Sequence, residues 1–250
     1  MPDFSGFFCT LQGNLKAVTT MRNQTLLSAV LALAFMASSC GSPVSLGDST
    51  QDLEGKLPAP STRGKMSIEE TLALRKSVRQ FQDKPLTIEQ ISQLLWAAQG
   101  ITHSWGERTF RTAPSAGATY PFETYLFTAS GGYRYNIADH SLTRVFDNDL
   151  RTELSGVSLG QTAVSDAHAV IVLSYILERT AQRYSDRAYR YVCIEAGHIA
   201  QNIHLMAVSL GLGSVPVGAF SDEEVKQLLG GPDDEIPLYI IPVGYELLEE

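Results

Sequence analysis

Asp186–Leu210, with the sequence DRAYRYVCIEAGHIAQNIHLMAVSL, decides the fold of this chain. The stretch predicts the longest helix, which ends at the glycines Gly211 and Gly213. Its apolar residues fall on more than one face of the helix. They are Ile194, Ala196, Ile199, Ala200, Ile203, Met206, Ala207 and Leu210. Such a helix must be buried from several sides. It is therefore either a central core helix or a helix at a subunit interface.

The strand pattern around this helix favours an α+β fold. Ala167–Leu177 is an unbroken apolar run of strand length, which predicts a buried central strand. Ser130-Gly131-Gly132 predicts a hairpin turn between two strands. The predicted strands beside this central one are residues 124–129, 133–137, 142–146, 214–220 and 237–245. Helices and hairpins segregate along the chain, and a doubly wound parallel sheet would instead alternate strands with helices.

Capping signals set the beginnings of the remaining helices. Ser67 with Glu70 forms a capping box for a helix that runs to about Lys76. Thr87 with Gln90 forms a second capping box, for a helix that ends at Gly100. Two further helices are predicted over residues 149–156 and 221–229. Residues 101–113 lack a periodic pattern, and we expect a loop there.

The bulk composition describes one ordinary globular domain behind an atypical N-terminus. The chain has 250 residues, and 44% of them are hydrophobic. Its formal net charge of −8 argues against nucleic acid as a partner. The chain has three cysteines, and Cys193 lies in an apolar helical pattern that predicts a small core residue.

The N-terminus is typical of an exported lipoprotein. Residues 21–40 combine a short basic start, an apolar run and small residues before Cys40. This predicts a lipoprotein-type signal peptide, with Cys40 as the lipidation site and a lipid anchor as the only membrane contact. The protein would then lie in the bacterial cell envelope, on the periplasmic or extracellular face. A buried N-terminal helix and an uncleaved signal anchor are the alternatives.

This reading divides the chain into four parts. Residues 1–20 precede a plausible start at Met21 and are interpreted as a mis-assigned upstream extension. Residues 21–40 are the signal peptide, and residues 41–64 are predicted to be a flexible tether because Ser, Pro, Gly and Thr dominate there. Residues 65–250 form the folded domain.

A basic cluster lies at the end of the first predicted helix of this domain. Arg75-Lys76-Ser77-Val78-Arg79 places three cations and a hydroxyl group within five residues. Planar guanidinium groups suit phosphate because each can hold two oxygens at once. The alternative is a solvated helix end whose cations complement the helix dipole.

Two later segments contain residue types that let a ligand approach the backbone closely. Residues 114–121, PSAGATYP, form a loop of small residues bounded by prolines, where N–H groups are accessible to a flat or anionic ligand. Residues 214–220, SVPVGAF, predict a strand end with a glycine, which would suit the wall of a planar ring. Taken alone, residues 114–121 are also compatible with an ordinary loop.

Taken in order, these segments resemble the FMN-dependent nitroreductase superfamily, and most of all its azoline oxidase branch, the SagB or ThcOx type. The segments that carry the resemblance are residues 75–79, 111–117, 189–191, 195–202, 211–214, 217–220 and 242–245. The resemblance covers residues 67–245. It implies a central, mainly antiparallel sheet flanked by helices, a homodimer with the long helix at its interface, and FMN as cofactor.

The resemblance also implies roles for individual residues. Arg75, Lys76 and Ser77 would bind the phosphate of FMN, and Arg79 would face N1 and O2 of the flavin. The loop residues Pro114, Ser115, Ala116 and Gly117 would come from the other subunit. Val217 and Gly218 would lie near N5 and O4. The implied activity is ping-pong hydride transfer through N5, with NAD(P)H or an organic substrate as donor.

Several positions depart from the family pattern. The chain ends in acidic residues where many relatives carry Lys-x-Arg for the phosphate, and Arg108 or Arg111 is a candidate replacement. Azoline oxidases use a Lys-Tyr pair as base, and Arg183-Tyr184 is the nearest match, so Tyr184 is a catalytic candidate or only a pocket wall. Two alternatives therefore stay open: an azoline-type dehydrogenase without NAD(P)H, and a membrane-tethered flavin-binding or flavin-free interaction module.

Glu195-x-x-His198 places a carboxylate and an imidazole one helical turn apart, as carboxylate-bridged metal sites require. No second such pair accompanies it, so we expect these side chains to bond another element of the fold.

Overall fold

A computed structural model describes residues 52–106 and 108–248. Its main sheet has seven strands in the order β1-β6-β5-β4-β7-β9-β8, and every neighbouring pair is antiparallel. A separate hairpin pairs β2 with β3. The strands are β1 (Gly55–Lys56), β2 (Ile101–Trp105), β3 (Arg108–Arg111), β4 (Phe122–Thr128), β5 (Gly131–Asn136), β6 (Ser141–Phe146), β7 (Ala169–Ile176), β8 (Gly213–Ser214) and β9 (Glu235–Gly244).

Seven helices accompany these strands in the described residues. They are α1 (Ile68–Leu74), α2 (Ile88–Gln99), α3 (Arg151–Val157), α4 (Thr162–Asp166), α5 (Glu178–Tyr184), α6 (Ala188–Ser209) and α7 (Asp222–Leu229). Both predicted capping boxes are present, at Ser67 and at Thr87. The predicted α+β fold, with its mainly antiparallel sheet and one long helix, is confirmed. None of the helices in this part of the chain is long and apolar enough to cross a bilayer.

The central strand β7 separates two hydrophobic cores. Ala169, Ile171 and Leu173 face the core that contains α2 and α6. Val170 and Val172 face the core that contains α3, α4 and α7. Alternate side chains of a strand point to opposite faces of the sheet, so a strand covered on both faces must be apolar throughout. The unbroken apolar run predicted this burial correctly.

The long helix α6 is buried along one side only within a single chain. Val192, Ile199 and Ile203 are inside the core. Two large apolar side chains of α6 are exposed, Tyr189 near its start at 53% and Ile194 on the side away from the core at 48%. Cys193 is exposed as well, so its prediction as a core residue is wrong.

The predicted loop at 101–113 is wrong because most of it forms the β2–β3 hairpin. The ring of His103 stacks on that of Phe110, with 4.6 Å between their centroids. Gly106 supplies a positive φ of 60° at the turn. Residues 102–105 of the hairpin are exposed, so no alternation of apolar and polar residues marked it in the sequence.

The strand predicted over residues 214–220 is much shorter in the structure. Only Gly213 and Ser214 form β8, and Val217 adds an isolated bridge to Ile240. Pro216 interrupts the ladder because proline has no N–H to donate.

Part of the segment predicted as a tether belongs to the domain. Gly55 and Lys56 pair with β6. The N–H of Leu57 donates to the carbonyl of His140 at 3.0 Å, and the Leu57 side chain is buried in the core. The hydroxyl of Ser92 on α2 donates to the carbonyl of Pro58 at 2.6 Å. Residues 1–51, with the predicted signal peptide and Cys40, lie outside the described residues, and their assignments stay predictions.

Candidate active site

The basic segment Arg75–Arg79 is held on one side by the short strand β8. Ser77 forms a parallel bridge with Ser214, and the N–H of Val78 donates to the Ser214 carbonyl at 3.0 Å. Gly213 permits this approach, because a Cβ atom at that position would lie 2.6 Å from the Cβ of Val78. The segment therefore continues the sheet beyond β8 as one further extended strand.

The chain after β9 holds the other side of the same segment. The N–H of Gln82 donates to the carbonyl of Tyr245, and the N–H of Leu247 donates to the carbonyl of Gln80, each at 2.9 Å. Backbone hydrogen bonds on both sides leave the segment little freedom. The backbone that carries Arg75, Lys76 and Arg79 is consequently rigid.

The charges in this segment divide into a paired lysine and two unpaired arginines. Lys76 Nζ lies 2.6 Å from a carboxylate oxygen of Glu246. Over the part of the chain that the structure describes, neither Arg75 nor Arg79 forms an ion pair. With the exposed hydroxyl of Ser77 between them, the two guanidinium groups match the donors that a phosphate monoester requires.

A buried histidine forms a hydrogen bond with β8, the strand next to the basic segment. His204 of α6 forms a hydrogen bond with the hydroxyl of Ser214, with 2.9 Å between Nδ1 and Oγ. Burial and, to a smaller extent, the charge of Arg75 lower the pKa of His204 to about 4. The imidazole is therefore neutral at physiological pH and adds no positive charge beside the arginines. The sequence offered no signal for this contact, which joins α6 to β8.

Of the predicted pair Val217–Gly218, only the glycine has a free backbone. Val217 donates its N–H to the Ile240 carbonyl at 2.7 Å and accepts from the Ile240 N–H at 3.0 Å. Gly218 is exposed, and a Cβ there would meet only the ring of Tyr239, at 3.6 Å. A ligand could thus contact the Gly218 backbone but not the amide of Val217. Both residues follow β8, on the same edge of the sheet as the basic segment.

The small-residue loop forms a second group with Tyr184. Gly117 has a φ of 61°, and a Cβ there would lie 2.8 Å from Arg183 Cδ and 2.9 Å from the Tyr184 hydroxyl oxygen. The positive φ favours glycine, and the Arg183 and Tyr184 side chains pack directly against it. Tyr184 is therefore brought to the loop Pro114–Gly117, as a pocket wall would be.

Helix α6 also holds the loop through the Glu195-x-x-His198 motif. Nδ1 of His198 lies 3.4 Å from the carbonyl oxygen of Pro114. Glu195, one turn earlier on the same helix, is buried. Throughout the described residues, no group of His, Cys, Asp and Glu is suited to hold a metal ion. The motif bonds another element of the fold, as the sequence predicted.

The two groups lie at different positions along α6 in one chain. The basic segment contacts α6 through Ser214 and His204, and the loop contacts it through His198; six residues of α-helix span about 9 Å. No hydrogen bond or ion pair in the described residues connects the basic segment with the loop. Arg111, a candidate for the missing phosphate cation, is instead committed to Gln99, with 2.6 Å between Nη1 and Oε1.

Glu195 is the most perturbed acid near the loop. Its side chain is almost completely buried, with 2% of the residue exposed. Burial raises its pKa to about 7, while the Ser115 hydroxyl and the charge of Arg111 act in the opposite direction. Its Oε1 and the Nε of Arg111 are both buried without a hydrogen-bond partner. A carboxyl group with this pKa ionises close to neutral pH.

Comparison with known proteins identifies the relatives of this fold. The nitroreductase family model matches residues 72–245. A Methanocaldococcus jannaschii protein named as a nitroreductase is 42% identical over 188 residues, which are 73% of this chain and 92% of that protein. A Ralstonia eutropha crystal structure described as a nitroreductase has a TM-score of 0.71 at 31% identity, covering 81% of this chain and 93% of that one. An NADPH-dependent FMN reductase of Bacillus subtilis is 26% identical over 70% of this chain and 64% of its own length.

The raised pKa of Glu195 predicts a specific pH dependence of stability. The folded protein holds this proton up to about pH 7, whereas the ordinary pKa of the group is 4.5. Glu195 therefore weakens the fold progressively as pH rises through this window, by about 3 kcal/mol at about 1.4 kcal/mol per unit. We expect Glu195→Gln to gain this amount relative to the wild type between the two pH values.

Urea unfolding of the FMN-free protein at several pH values measures the difference. Glu153→Gln, at an exposed position of α3, is the matched control and should follow the wild type. Parallel stability curves for wild type and Glu195→Gln would contradict the raised pKa.

Proposed function

This chain belongs to the nitroreductase family and is an oxidoreductase, and we propose that its cofactor is FMN, bound by the basic segment Arg75–Arg79. The supporting observation is the pair of unpaired guanidinium groups that flank Ser77 in the chain, on a segment held by the Val78–Ser214 hydrogen bond and by those of Gln80 and Gln82 directly after it. A rigid donor set without its own acid partner suits an external anion.

The residues in and around the basic segment have distinct roles in the proposal. Arg75 and Ser77 bind the phosphate, while Arg79 faces N1 and O2 of the ring system, where a fixed cation favours the reduced, negatively charged form. Lys76 neutralises Glu246 and so keeps the acidic tail from repelling the phosphate. Gly218 offers its open backbone to the ring edge. When bound, FMN accepts a hydride equivalent at N5 from a donor and transfers it to an acceptor in a ping-pong cycle.

We propose further that two copies of the chain complete each site. In the described residues, no hydrogen bond or ion pair joins the loop Pro114–Gly117 to the basic segment of its own chain, and in this proposal a second copy supplies it. Helix α6 exposes two large apolar side chains, Tyr189 and Ile194. Helix α1 likewise exposes three large apolar side chains, Ile68, Leu72 and Leu74. A groove of about 1130 Å³ between α1, α2 and α6 adds to this unpartnered surface.

The electron donor we favour is NAD(P)H. The B. subtilis relative is named for NADPH-dependent reduction of FMN. The runner-up is an azoline-type dehydrogenase that oxidises an organic substrate without NAD(P)H. That reaction needs a base beside the ring, and Arg183 remains protonated and cannot serve as one. Tyr184 packs against Tyr191, with ring centroids 4.6 Å apart, which agrees with a pocket wall.

The visible spectrum of the purified protein tests the proposal. A yellow protein whose flavin is released as FMN on denaturation is the expected result. Bleaching on anaerobic addition of NADPH would support the reductase, and bleaching only by an organic substrate would support the dehydrogenase. A colourless protein that does not bind added FMN would leave the flavin-free interaction module as the better description.

Replacing Arg75 tests the phosphate assignment. Arg75→Ala removes charge-assisted hydrogen bonds, and we expect FMN affinity to fall by about 1–3 kcal/mol, or roughly 5- to 150-fold. Fluorescence titration of the FMN-free protein measures the dissociation constant. Arg134→Ala, at an exposed position of β5, controls for the loss of one positive charge. Equal affinities for Arg75→Ala and Arg134→Ala would rule out a phosphate role for Arg75.

A charge on the exposed side of α6 tests the shared site. Ile194→Asp buries a carboxylate in the proposed interface, which should weaken dimerisation by at least about 2 kcal/mol, a factor of about 30. FMN should be lost together with the dimer. Sedimentation equilibrium measures both effects when absorbance is followed at protein and flavin wavelengths. Leu159→Asp, which lies at a 75% exposed position, should remain a dimer. A dimer unaffected by Ile194→Asp would contradict this interface.

A further inference from the structure

The small-residue loop continues into a turn, residues 115–120, with an unusual backbone. Two non-glycine residues of this turn have a positive φ, Ala118 at 55° and Tyr120 at 45°, in addition to Gly117 at 61°. The Cβ atom of an L-residue disfavours this left-handed region, so the sequence of the turn does not hold the conformation by itself. Such backbone persists only where contacts from outside over-determine it, and it clusters at ligand-binding sites.

One set of contacts holds the Tyr120 end of the turn. The Tyr120 N–H donates to Oγ of Ser115 at 2.9 Å, and Nη1 of Arg179 on α5 lies 3.4 Å from the Tyr120 carbonyl oxygen. Arg179 is itself fixed by an ion pair with Glu123 on β4, with 2.6 Å between Nη2 and Oε1. These contacts do not reach the peptide group that joins residues 116 and 117.

A second contact between α5 and the turn does reach that peptide group. Thr180 of α5 is 1% exposed, and its Oγ1 lies 2.9 Å from Oγ1 of Thr119. Oγ1 of Thr119 lies 3.1 Å from the Ala116 carbonyl oxygen, which can only accept. A hydroxyl group carries one proton, so Thr119 donates it to the carbonyl and must accept from Thr180. The two hydrogen bonds form a relay that runs from Thr180 through Thr119 to Ala116.

This relay sets the orientation of the peptide group between Ala116 and Gly117. The Ala116 carbonyl accepts from the Thr119 N–H at 3.3 Å as well as from the Thr119 hydroxyl, so both of its lone pairs are occupied inside the turn. The N–H and C=O of a trans peptide point in opposite directions, so the Gly117 N–H points out of the turn. Gly117 is exposed, and its N–H, which donates to no backbone carbonyl of the described residues, is left for a ligand.

We propose that Thr180 is a positioning residue, which acts through Thr119 to hold the Gly117 N–H in place as a hydrogen-bond donor to the flavin ring. The inference rests on the proposed function, in which the loop Pro114–Gly117 contacts the FMN of the other subunit. Thr180 itself touches no part of the cofactor in this arrangement, because its side chain is buried against Thr119. Its hydroxyl keeps the Ala116 carbonyl turned inward and so opposes relaxation of the strained turn.

Removal of one hydroxyl tests the relay. Thr180→Val keeps nearly the same side-chain shape and leaves Thr119 without its donor. Amide hydrogen exchange of the FMN-free protein should show about three- to tenfold less protection of the Ala118 and Thr119 N–H groups, both of which donate within the turn. The dissociation constant of FMN, measured by fluorescence titration, should rise by a similar factor.

Matched variants separate the hydroxyl from the packing of the side chain. Thr180→Ser retains the donor on a smaller side chain, and its protection and affinity should stay within about twofold of the wild type. Thr124→Val makes the same substitution at a fully buried position of β4 whose hydroxyl has no hydrogen-bond partner in the described residues, and it should change neither quantity. Thr119→Val interrupts the relay at its next member, so the double variant with Thr180→Val should lose no more than Thr119→Val alone. Thr119→Val also supplies the test should Thr180→Val not fold.

Exchange and affinity together decide the outcome. Equal losses in Thr180→Ser and Thr180→Val, or a Thr180→Val protein that matches Thr124→Val, would overturn the relay. Reduced protection with unchanged FMN affinity would overturn the positioning role. If neither the wild type nor any variant binds FMN, the proposed function fails and the flavin fails with it as the ligand, while the exchange data still decide whether Thr180 holds the turn.

Discussion

The burial of α6 against the sheet is the constraint on which both halves of the candidate site depend. Val192, Ile199 and Ile203 fix the helix on the core. Two polar side chains, Glu195 and His204, are buried on the same helix, and buried polar groups need partners. His204 has its partner in Ser214, next to the basic segment, whereas Oε1 of Glu195 has none, and the exposed His198 is the residue that contacts the loop, at the Pro114 carbonyl. The apolar packing of one helix thereby positions two distant segments.

Charge placement around the basic segment explains how an acidic tail coexists with a proposed phosphate site. The residues that follow β9 pair with the segment through backbone hydrogen bonds, and this brings Glu246 next to Lys76. The ion pair is partly exposed and contributes little stability on its own. Its consequence is electrostatic, because it neutralises the acid and leaves Arg75 and Arg79 available to an external anion.

Sequence patterns predicted the elements whose signals are local. The capping boxes at Ser67 and Thr87 depend on side chains three residues apart, and both are present. The apolar run of β7 depends only on burial of the strand itself. The hairpin at 101–111 was missed because a mostly exposed strand carries no apolar alternation. The sequence did not reveal that the Val217 N–H donates to the Ile240 carbonyl, because Ile240 lies far along the chain.

The sequence by itself determined five of the seven helices of the described residues, most of their strands, the basic segment, the small-residue loop and the resemblance to one family. Hydrophobic periodicity, caps and short motifs act over a few residues, so they can be recognised without a fold. Only the tertiary structure decided which groups remain available for chemistry. It pairs Lys76 with Glu246, commits Arg111 to Gln99 and buries Glu195. Charge pairing and desolvation depend on neighbours brought together from distant parts of the chain, and no local pattern records them.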